Sequence, residues 1–271
     1  MRCAAMRYIS QMASVLVAAL LVPSSATQAQ ELEIESVATL PAAGVDVQVI
    51  GGEREDPANW PATFIFRNSG GGGCTATAVG EQVILTAAHC VGNGSTGRVT
   101  FGGSAVQVWC YHHPDYIPPQ SYSADFALCR TESVLPEVIA EVINTDSSRP
   151  KLEEQVQLLG YGCLTEGGID KTFGGLWGGM AKVIQRPTHG MYTITEGGAA
   201  VCFGDSGGGS FLVGPVSRTL FAVNSRGNIS ERSWLSTTSA PGFLRWAEDW
   251  ALHFGLSICG VNENATGCAE Q

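Results

Sequence analysis

Three side chains of this sequence are of the types that carry out nucleophilic catalysis. His89 lies in LTAAHC, beside a cysteine at a strand end, Asp125 lies in SADFAL before an apolar strand, and Ser206 lies in the glycine-rich turn CFGDSGG. A serine hydroxyl is a weak nucleophile that needs an adjacent base, and the base needs a carboxylate to fix its tautomer. Each residue alone has an ordinary structural explanation. Together they supply a nucleophile, a base and an orienting acid.

The elements that must position these side chains are short strands. The sequence has 34 glycines in 271 residues, and many short apolar runs end in Gly, Ser, Asn or Pro, which is typical of all-β proteins. Runs rich in β-branched and aromatic residues predict strands and favour a barrel or a sandwich. The predicted strands are Thr63–Arg67, Ala76–Thr86, Arg98–Phe101, Val106–Tyr111, Phe126–Arg130, Gln155–Tyr161, Met180–Ile184, Met191–Thr195, Gly209–Val213 and Leu220–Ser225. Aromatic residues at helical spacing predict a C-terminal helix over Pro241–Phe254.

Composition excludes some classes of partner. Hydrophobic residues make up 44% of the chain and charged residues 15%, which is enough apolar material for a sizeable core. The net charge is −10, without a basic cluster, so nucleic acid and anionic membrane surfaces are poor partner candidates.

The first 29 residues differ from the rest. Two arginines precede an apolar stretch over residues 12–22, and small residues follow it. This pattern predicts a secretory signal peptide over 1–29, because the apolar stretch is shorter than the about 20 residues that a membrane-spanning helix needs. Cleavage after Ala26 and cleavage after Ala29 both fit.

The cysteine count also indicates export. Of nine cysteines, Cys3 leaves with the signal peptide and eight remain. An even number on an exported chain predicts disulfides formed in an oxidising compartment, and spacing alone leaves their connectivity open. No CxxC or clustered Cys/His spacing suggests zinc, and His112-His113 before a proline is a weak candidate for a metal site.

The motifs TAAHC, DFAL and GDSGG, in this order, resemble those of the chymotrypsin-like (trypsin-fold) serine peptidases. The resemblance extends over about residues 49–254. It implies an all-β fold of two antiparallel Greek-key β-barrels with a C-terminal helix and the active site between the barrels. It also implies Ser206 as nucleophile, His89 as general base and Asp125 as its orienting acid, with no metal or organic cofactor required.

The same resemblance implies how the site is activated. Val49 begins VIGG, which is similar to the new N-terminus released on activation in this family, and its freed α-amino group would pair with Asp205. That ion pair would fix the turn so that the backbone N–H groups of Gly204 and Ser206 form the oxyanion hole. The alternative for VIGG is a strand start with a glycine turn. Gln48 stands where the family often has a basic residue, which points to self-processing or to an activator that is not trypsin-like.

A disulfide framework follows from the resemblance as well. Cys74 and Cys90 are similar to the family's bridge around the histidine loop. The usual partner of Cys202 is absent, so we expect Cys163, whose loop should also border the substrate pocket. The remaining expected pairs are Cys110–Cys129 and Cys259–Cys268.

Substrate contacts can be assigned in the same way. Ala200 is at the position that forms the base of the family's primary pocket and offers no carboxylate for a basic side chain. Phe203 and the strand segment of Ser225, Arg226 and Gly227 are the other expected substrate contacts, and Ser225 is a candidate to hydrogen-bond Asp125. An uncharged pocket favours cleavage after small or apolar residues. Arg226 stands where the family usually has an aromatic residue.

These expectations give a complete hypothesis. A signal peptide (1–29) and a propeptide (30–48) precede a peptidase domain over 49–271. Within that domain we expect a first barrel, a second barrel, a helix and a disulfide-bearing tail, over 49–140, 141–240, 241–254 and 255–271. The protein would be a secreted or periplasmic monomer that acts on proteins or peptides and meets an activating protease and protein inhibitors. The alternative is a catalytically silent binding or regulatory protein with the same fold.

Overall fold

A computed structural model describes residues 49–101, 103–163 and 175–270. The predicted signal peptide (1–29) and propeptide (30–48) lie outside the described residues. Within the described ranges, no helix has the length and apolar character needed to cross a membrane.

The first half of the described chain forms a closed barrel of six antiparallel strands. A short strand, β1 (Glu53–Arg54), and a 3₁₀ turn, Pro57–Asn59, precede it. The barrel order is β2-β3-β4-β7-β6-β5, and alternate side chains fill its interior. Its strands are β2 (Thr63–Asn68), β3 (Gly73–Gly80), β4 (Val83–Thr86), β5 (Thr96–Phe101), β6 (Ser104–His112) and β7 (Ala127–Thr131).

The second half forms another six-stranded antiparallel barrel. Its order is β9-β10-β13-β12-β11-β8, closed by pairing of β8 with β9, and β1 adds to the edge of β9. The predicted two-barrel, all-β fold is therefore confirmed. The strands are β8 (Gln155–Gly160), β9 (Trp177–Gln185), β10 (Tyr192–Gly198), β11 (Gly209–Val213), β12 (Arg218–Gly227) and β13 (Arg232–Thr237).

The predicted strands differ from the structure at one hairpin and at two strands that were not predicted, β1 and β13. The single strand expected over Ala76–Thr86 is a hairpin of β3 and β4 that turns after Gly80. A Cβ at Gly80 would lie 2.3 Å from the backbone oxygen of Ser257, so a glycine lets the C-terminal segment pass close to the turn. Strand β13 was not predicted, because its buried positions include serine and threonine, which favour loops in sequence analysis.

The predicted helix is present as α1 (Pro241–Phe254). Proline at its first position and Gly255 in a left-handed conformation mark its two ends. Phe243 of the helix is fully buried and packs on Phe126, with ring centroids 4.5 Å apart. Burial of one such ring contributes about 2 kcal/mol, so α1, which follows the second barrel in sequence, stabilises the first.

Candidate active site

The imidazole of His89 is held at the end of a first-barrel strand. A 3₁₀ turn, Ala88–Cys90, follows β4 and carries His89, and the disulfide Cys74–Cys90 ties that turn to β3. The side chain is 35% exposed. His89 is therefore fixed through its backbone while its ring remains accessible from solvent.

Asp125 is fully buried and faces the imidazole. Its Oδ2 lies 2.7 Å from His89 Nδ1, and its Oδ1 accepts a hydrogen bond of 2.9 Å from the His89 backbone N–H. The Ser225 hydroxyl donates a further hydrogen bond of 2.6 Å to Oδ2. An ionised carboxylate in this position favours a proton on Nδ1 and leaves Nε2 free to act as a base.

The turn that carries Ser206 lies against the same part of the first barrel. The Thr75 backbone N–H donates a hydrogen bond of 2.8 Å to the carbonyl oxygen of Ser206. That oxygen lies 3.7 Å from the Cys90 sulfur, and His89 Nε2 lies 3.9 Å from the same sulfur. No hydrogen bond among the described residues joins the Ser206 hydroxyl to His89. Such bonds are often long in substrate-free enzymes, and the shared sulfur shows that the two residues are neighbours.

Close approach of the turn to the first barrel requires Gly207. Its φ is +83°, and a Cβ there would lie 2.1 Å from Thr86 Oγ1 and 2.2 Å from the Thr75 backbone oxygen. Only glycine combines this backbone conformation with such contacts. The contact between the two barrels therefore explains why a glycine follows Ser206 in the GDSGG motif.

Thr75 joins the two barrels through hydrogen bonds that sequence analysis did not anticipate. Its hydroxyl donates to the Gly204 backbone oxygen at 2.8 Å and accepts from the Tyr161 backbone N–H at 2.9 Å. The side chain is fully buried. The signal in the sequence is weak, since a threonine in a strand is ordinary.

Asn224, which sequence analysis also missed, holds the Ser206 turn through side-chain hydrogen bonds. Its amide donates to the backbone oxygens of Leu159 and Asp205 at 3.0 and 3.3 Å, and its Oδ1 accepts from the Ser210 hydroxyl at 2.7 Å. Both polar side chains are fully buried. A polar residue within the apolar run LFAVNS was the available signal.

Replacing Asn224 with leucine is expected to lower the free energy of unfolding by about 2 kcal/mol, because it leaves the buried Ser210 hydroxyl without its acceptor and removes the amide donor to the Leu159 carbonyl. The Asp205 carbonyl keeps its hydrogen bond from the Gly208 N–H. Ser210→Ala is the matched control and should cost less, since it leaves only Oδ1 of Asn224 without a donor. Chemical unfolding should be followed in a Ser206→Ala background, which prevents self-digestion. Equal stability of the Asn224 variant and its parent would contradict this role.

Asp205 is a buried carboxyl group without a cationic contact among the described residues. It accepts hydrogen bonds from the backbone N–H groups of Gly162 and Cys202, at 2.7 and 2.8 Å. Burial raises the pKa of Asp205 to about 7, although these two hydrogen bonds oppose the shift. Val49 is buried in the core of the second barrel, and its nitrogen is a peptide amide in the uncleaved chain.

The raised pKa of Asp205 makes the stability of the uncleaved chain depend on pH. The carboxyl group of Asp205 binds its proton more tightly in the folded state than in the unfolded state. Its contribution to the free energy of unfolding is therefore fully present below about pH 4 and is lost as the pH rises to about 7. The loss from this group amounts to about 4 kcal/mol. Unfolding of the Ser206→Ala precursor should be compared with that of the same precursor carrying Asp205→Asn. An identical pH dependence in the two proteins would contradict the prediction.

The residues expected to bind substrate lie around the turn. Ala200 is fully buried, and its N–H donates to the Ile50 backbone oxygen at 2.9 Å. Phe203 is 60% exposed. A Cβ at Gly227 would lie 2.6 Å from the Val201 backbone oxygen, so this glycine brings the end of β12 close to the segment before the turn.

Four disulfides are present in the structure: Cys74–Cys90, Cys110–Cys129, Cys163–Cys202 and Cys259–Cys268. Cys163–Cys202 links the loop after β8 to the segment just before Ser206. Two cysteine sulfurs and His89 lie close enough together to suggest a metal site. Both sulfurs belong to the Cys74–Cys90 disulfide, so neither is a thiolate ligand.

A buried aspartate that contacts a histidine, together with a serine-bearing turn that packs between two six-stranded barrels, is the arrangement that defines the chymotrypsin-like serine proteases. The sequence model of the trypsin family matches residues 49–238 of this chain. The chain therefore belongs to the trypsin family, whose members hydrolyse peptide bonds in protein substrates and are regulated by inhibitors.

Proposed function

We propose that this protein is a secreted or periplasmic serine endopeptidase with His89, Asp125 and Ser206 as its catalytic triad. The observation that carries the proposal is the buried carboxylate of Asp125, 2.7 Å from His89 Nδ1, with the Ser206 turn packed against the histidine loop. Four disulfides favour an oxidising compartment. Residues 1–29 would be the signal that directs the chain there.

The reaction follows from these positions. Nε2 of His89 accepts the proton of the Ser206 hydroxyl as its oxygen attacks the scissile carbonyl carbon, and Asp125 stabilises the resulting imidazolium. The backbone N–H groups of Gly204 and Ser206 donate to the oxyanion. His89 then gives its proton to the departing amine. A water molecule, deprotonated by the same nitrogen, hydrolyses the acyl-enzyme and restores Ser206.

The proposal includes activation by cleavage before Val49. The buried carboxyl group of Asp205 supports it, because a buried carboxylate is stable only with a matching charge. The α-amino group of a new N-terminus at Val49 would supply that charge and lower the pKa of Asp205. Residues 30–48 would then be a propeptide, which Gln48 makes a poor substrate for a trypsin-like activator.

The proposed specificity of the enzyme is for cleavage after small or apolar residues. Ala200 offers no carboxylate to a lysine or an arginine, and a cation placed in an apolar pocket without a partner is strongly disfavoured. Digestion of a peptide library is expected to show cleavage mainly after such residues. Cleavage mainly after Lys or Arg would reject the proposed specificity without affecting the triad.

Labelling with a fluorophosphonate probe tests the catalytic function directly. The secreted protein, with its N-terminus verified at Val49, is expected to bind the probe at Ser206, and Ser206→Ala should abolish the labelling. Ser230→Ala, at an exposed position after β12, is the matched control. No labelling of the correctly processed protein would instead favour a catalytically silent binding protein.

A further inference from the structure

The end of β12 has a free edge beside the Ser206 turn. Strand β12 pairs with β11 only as far as Val223, whereas its pairing with β13 continues to Gly227. Asn224 bonds to the turn through its backbone. Within the described residues, no strand covers residues 225–227 on that side. An extended peptide can pair with such an edge.

Arg226 is held at this edge by aromatic rings. Its guanidinium carbon lies 4.2 Å from the ring centre of Tyr122 and 5.9 Å from that of Tyr192. Tyr122 comes from the first barrel, three residues before Asp125, and its side chain is exposed. Cation–π contacts of this kind hold a guanidinium in one plane. Arg226 also has a side-chain hydrogen bond with Tyr192, and the remaining N–H donors of its guanidinium can bind a planar anion.

The charge of Arg226 has no acidic partner in the described parts of the chain. The ion pairs there involve His89, Arg149, Lys182, Arg218 and Arg232. Buried Nε of Arg226 also lacks a hydrogen-bond acceptor among the described residues. The nearby carboxylate of Asp125 is already bound by His89 and Ser225. A half-buried cation beside a substrate edge therefore lacks a counter-charge in a protein of net charge −10.

We propose that Arg226 selects substrates with an acidic side chain two or four residues before the scissile bond, an inference that rests on the proposed function. Side chains of an extended peptide alternate between two faces. The residue before the scissile bond enters the pocket at Ala200, so the second and fourth residues face the opposite side. Gly227 packs against Val201, which is next to Ala200 of the pocket. Its neighbour Arg226 stacks on Tyr122, on the side that the second and fourth residues would face.

Paired peptides with Glu or Gln at these positions provide the test. The processed enzyme is expected to show a kcat/KM about 10-fold higher for Glu at one of the two positions, as a partly desolvated bidentate ion pair can give. Arg226→Gln should abolish the difference, and Arg226→Lys should retain part of it. Arg98→Gln, which removes an exposed charge on β5, is the matched control and should retain all of it.

Binding of the same peptides to processed Ser206→Ala protein separates this inference from the proposed function. A Glu preference in binding that Arg226→Gln removes supports the inference even if the wild-type protein cleaves neither peptide, which would contradict the proposed function alone. Cleavage of both peptides at equal rates, with equal binding, would overturn the role of Arg226 and leave the peptidase function intact. A Glu preference that persists in Arg226→Gln would also overturn it.

Discussion

Asp125→Asn is expected to lower kcat about 10⁴-fold at neutral pH, with little change in stability. Oδ1 accepts from the His89 backbone N–H, so the asparagine must keep its oxygen there and turn its amide towards Nδ1. Nδ1 then becomes an acceptor, the proton moves to Nε2, and the nitrogen needed as a base is blocked. Steady-state kinetics at an enzyme concentration set by absorbance measures the effect, because a fluorophosphonate also requires the activated Ser206 and would label the variant too slowly to serve as a titrant.

Ser225→Ala is the control for this substitution. It removes one hydrogen bond to the Asp125 carboxylate but preserves the charge and both contacts with His89. We expect a loss in kcat of about 10-fold, equivalent to about 1.4 kcal/mol, which is near the lower end for a hydrogen bond to a charged group. Comparable losses in the two variants would mean that Asp125 acts through packing and does not set the tautomer of His89.

Asp205→Asn is expected to reduce kcat of the processed enzyme about 10²- to 10³-fold. The neutral amide cannot form the proposed ion pair with the α-amino group of Val49. It also presents an N–H to one of two backbone donors, those of Gly162 and Cys202, which both require an acceptor. The turn would lose the orientation of at least one oxyanion donor, and each such donor contributes 10²- to 10³-fold.

Kinetics of the variant with a verified N-terminus at Val49 tests this prediction, and Asp249→Asn on α1 is the matched control. A second protein, blocked at residues 48–49 so that cleavage cannot occur, should show a similar loss. Full activity of the uncleaved chain would contradict the activation mechanism, because its Asp205 would then need no cation.

The amino-acid sequence predicted the fold and the main polar groups because their signals are local. Glycine-punctuated apolar runs predicted an all-β chain of short strands, the family resemblance of the three motifs implied two barrels, and aromatic residues at helical spacing predicted α1. The histidine and acid motifs each lie at the boundary of a strand. The buried contact of Asp125 with His89 has the partners that the resemblance implied, whereas catalysis by these residues stays a prediction.

The features that sequence analysis missed depend mainly on contacts between residues distant in sequence. Thr75 is 129 positions from Gly204, to which its hydroxyl donates, and nothing in its neighbourhood distinguishes it from other strand threonines. Asn224 likewise owes its partners to the packing of β8 and β12 around the turn. The β3–β4 hairpin was missed because a single glycine, Gly80, marks its turn within an otherwise continuous apolar run, and a lone glycine in a strand pattern fits a bulge equally well.

The packing of α1 on Phe126 has a consequence for synthesis. Phe126 emerges from the ribosome well before Phe243, the helix residue that covers it. A nascent or truncated chain without residues 241–254 therefore carries every polar group of the site but lacks the apolar wall behind Asp125. We therefore expect such a chain to hold Asp125 less rigidly against His89, so the geometry of the site depends on a helix that contributes no polar group to it.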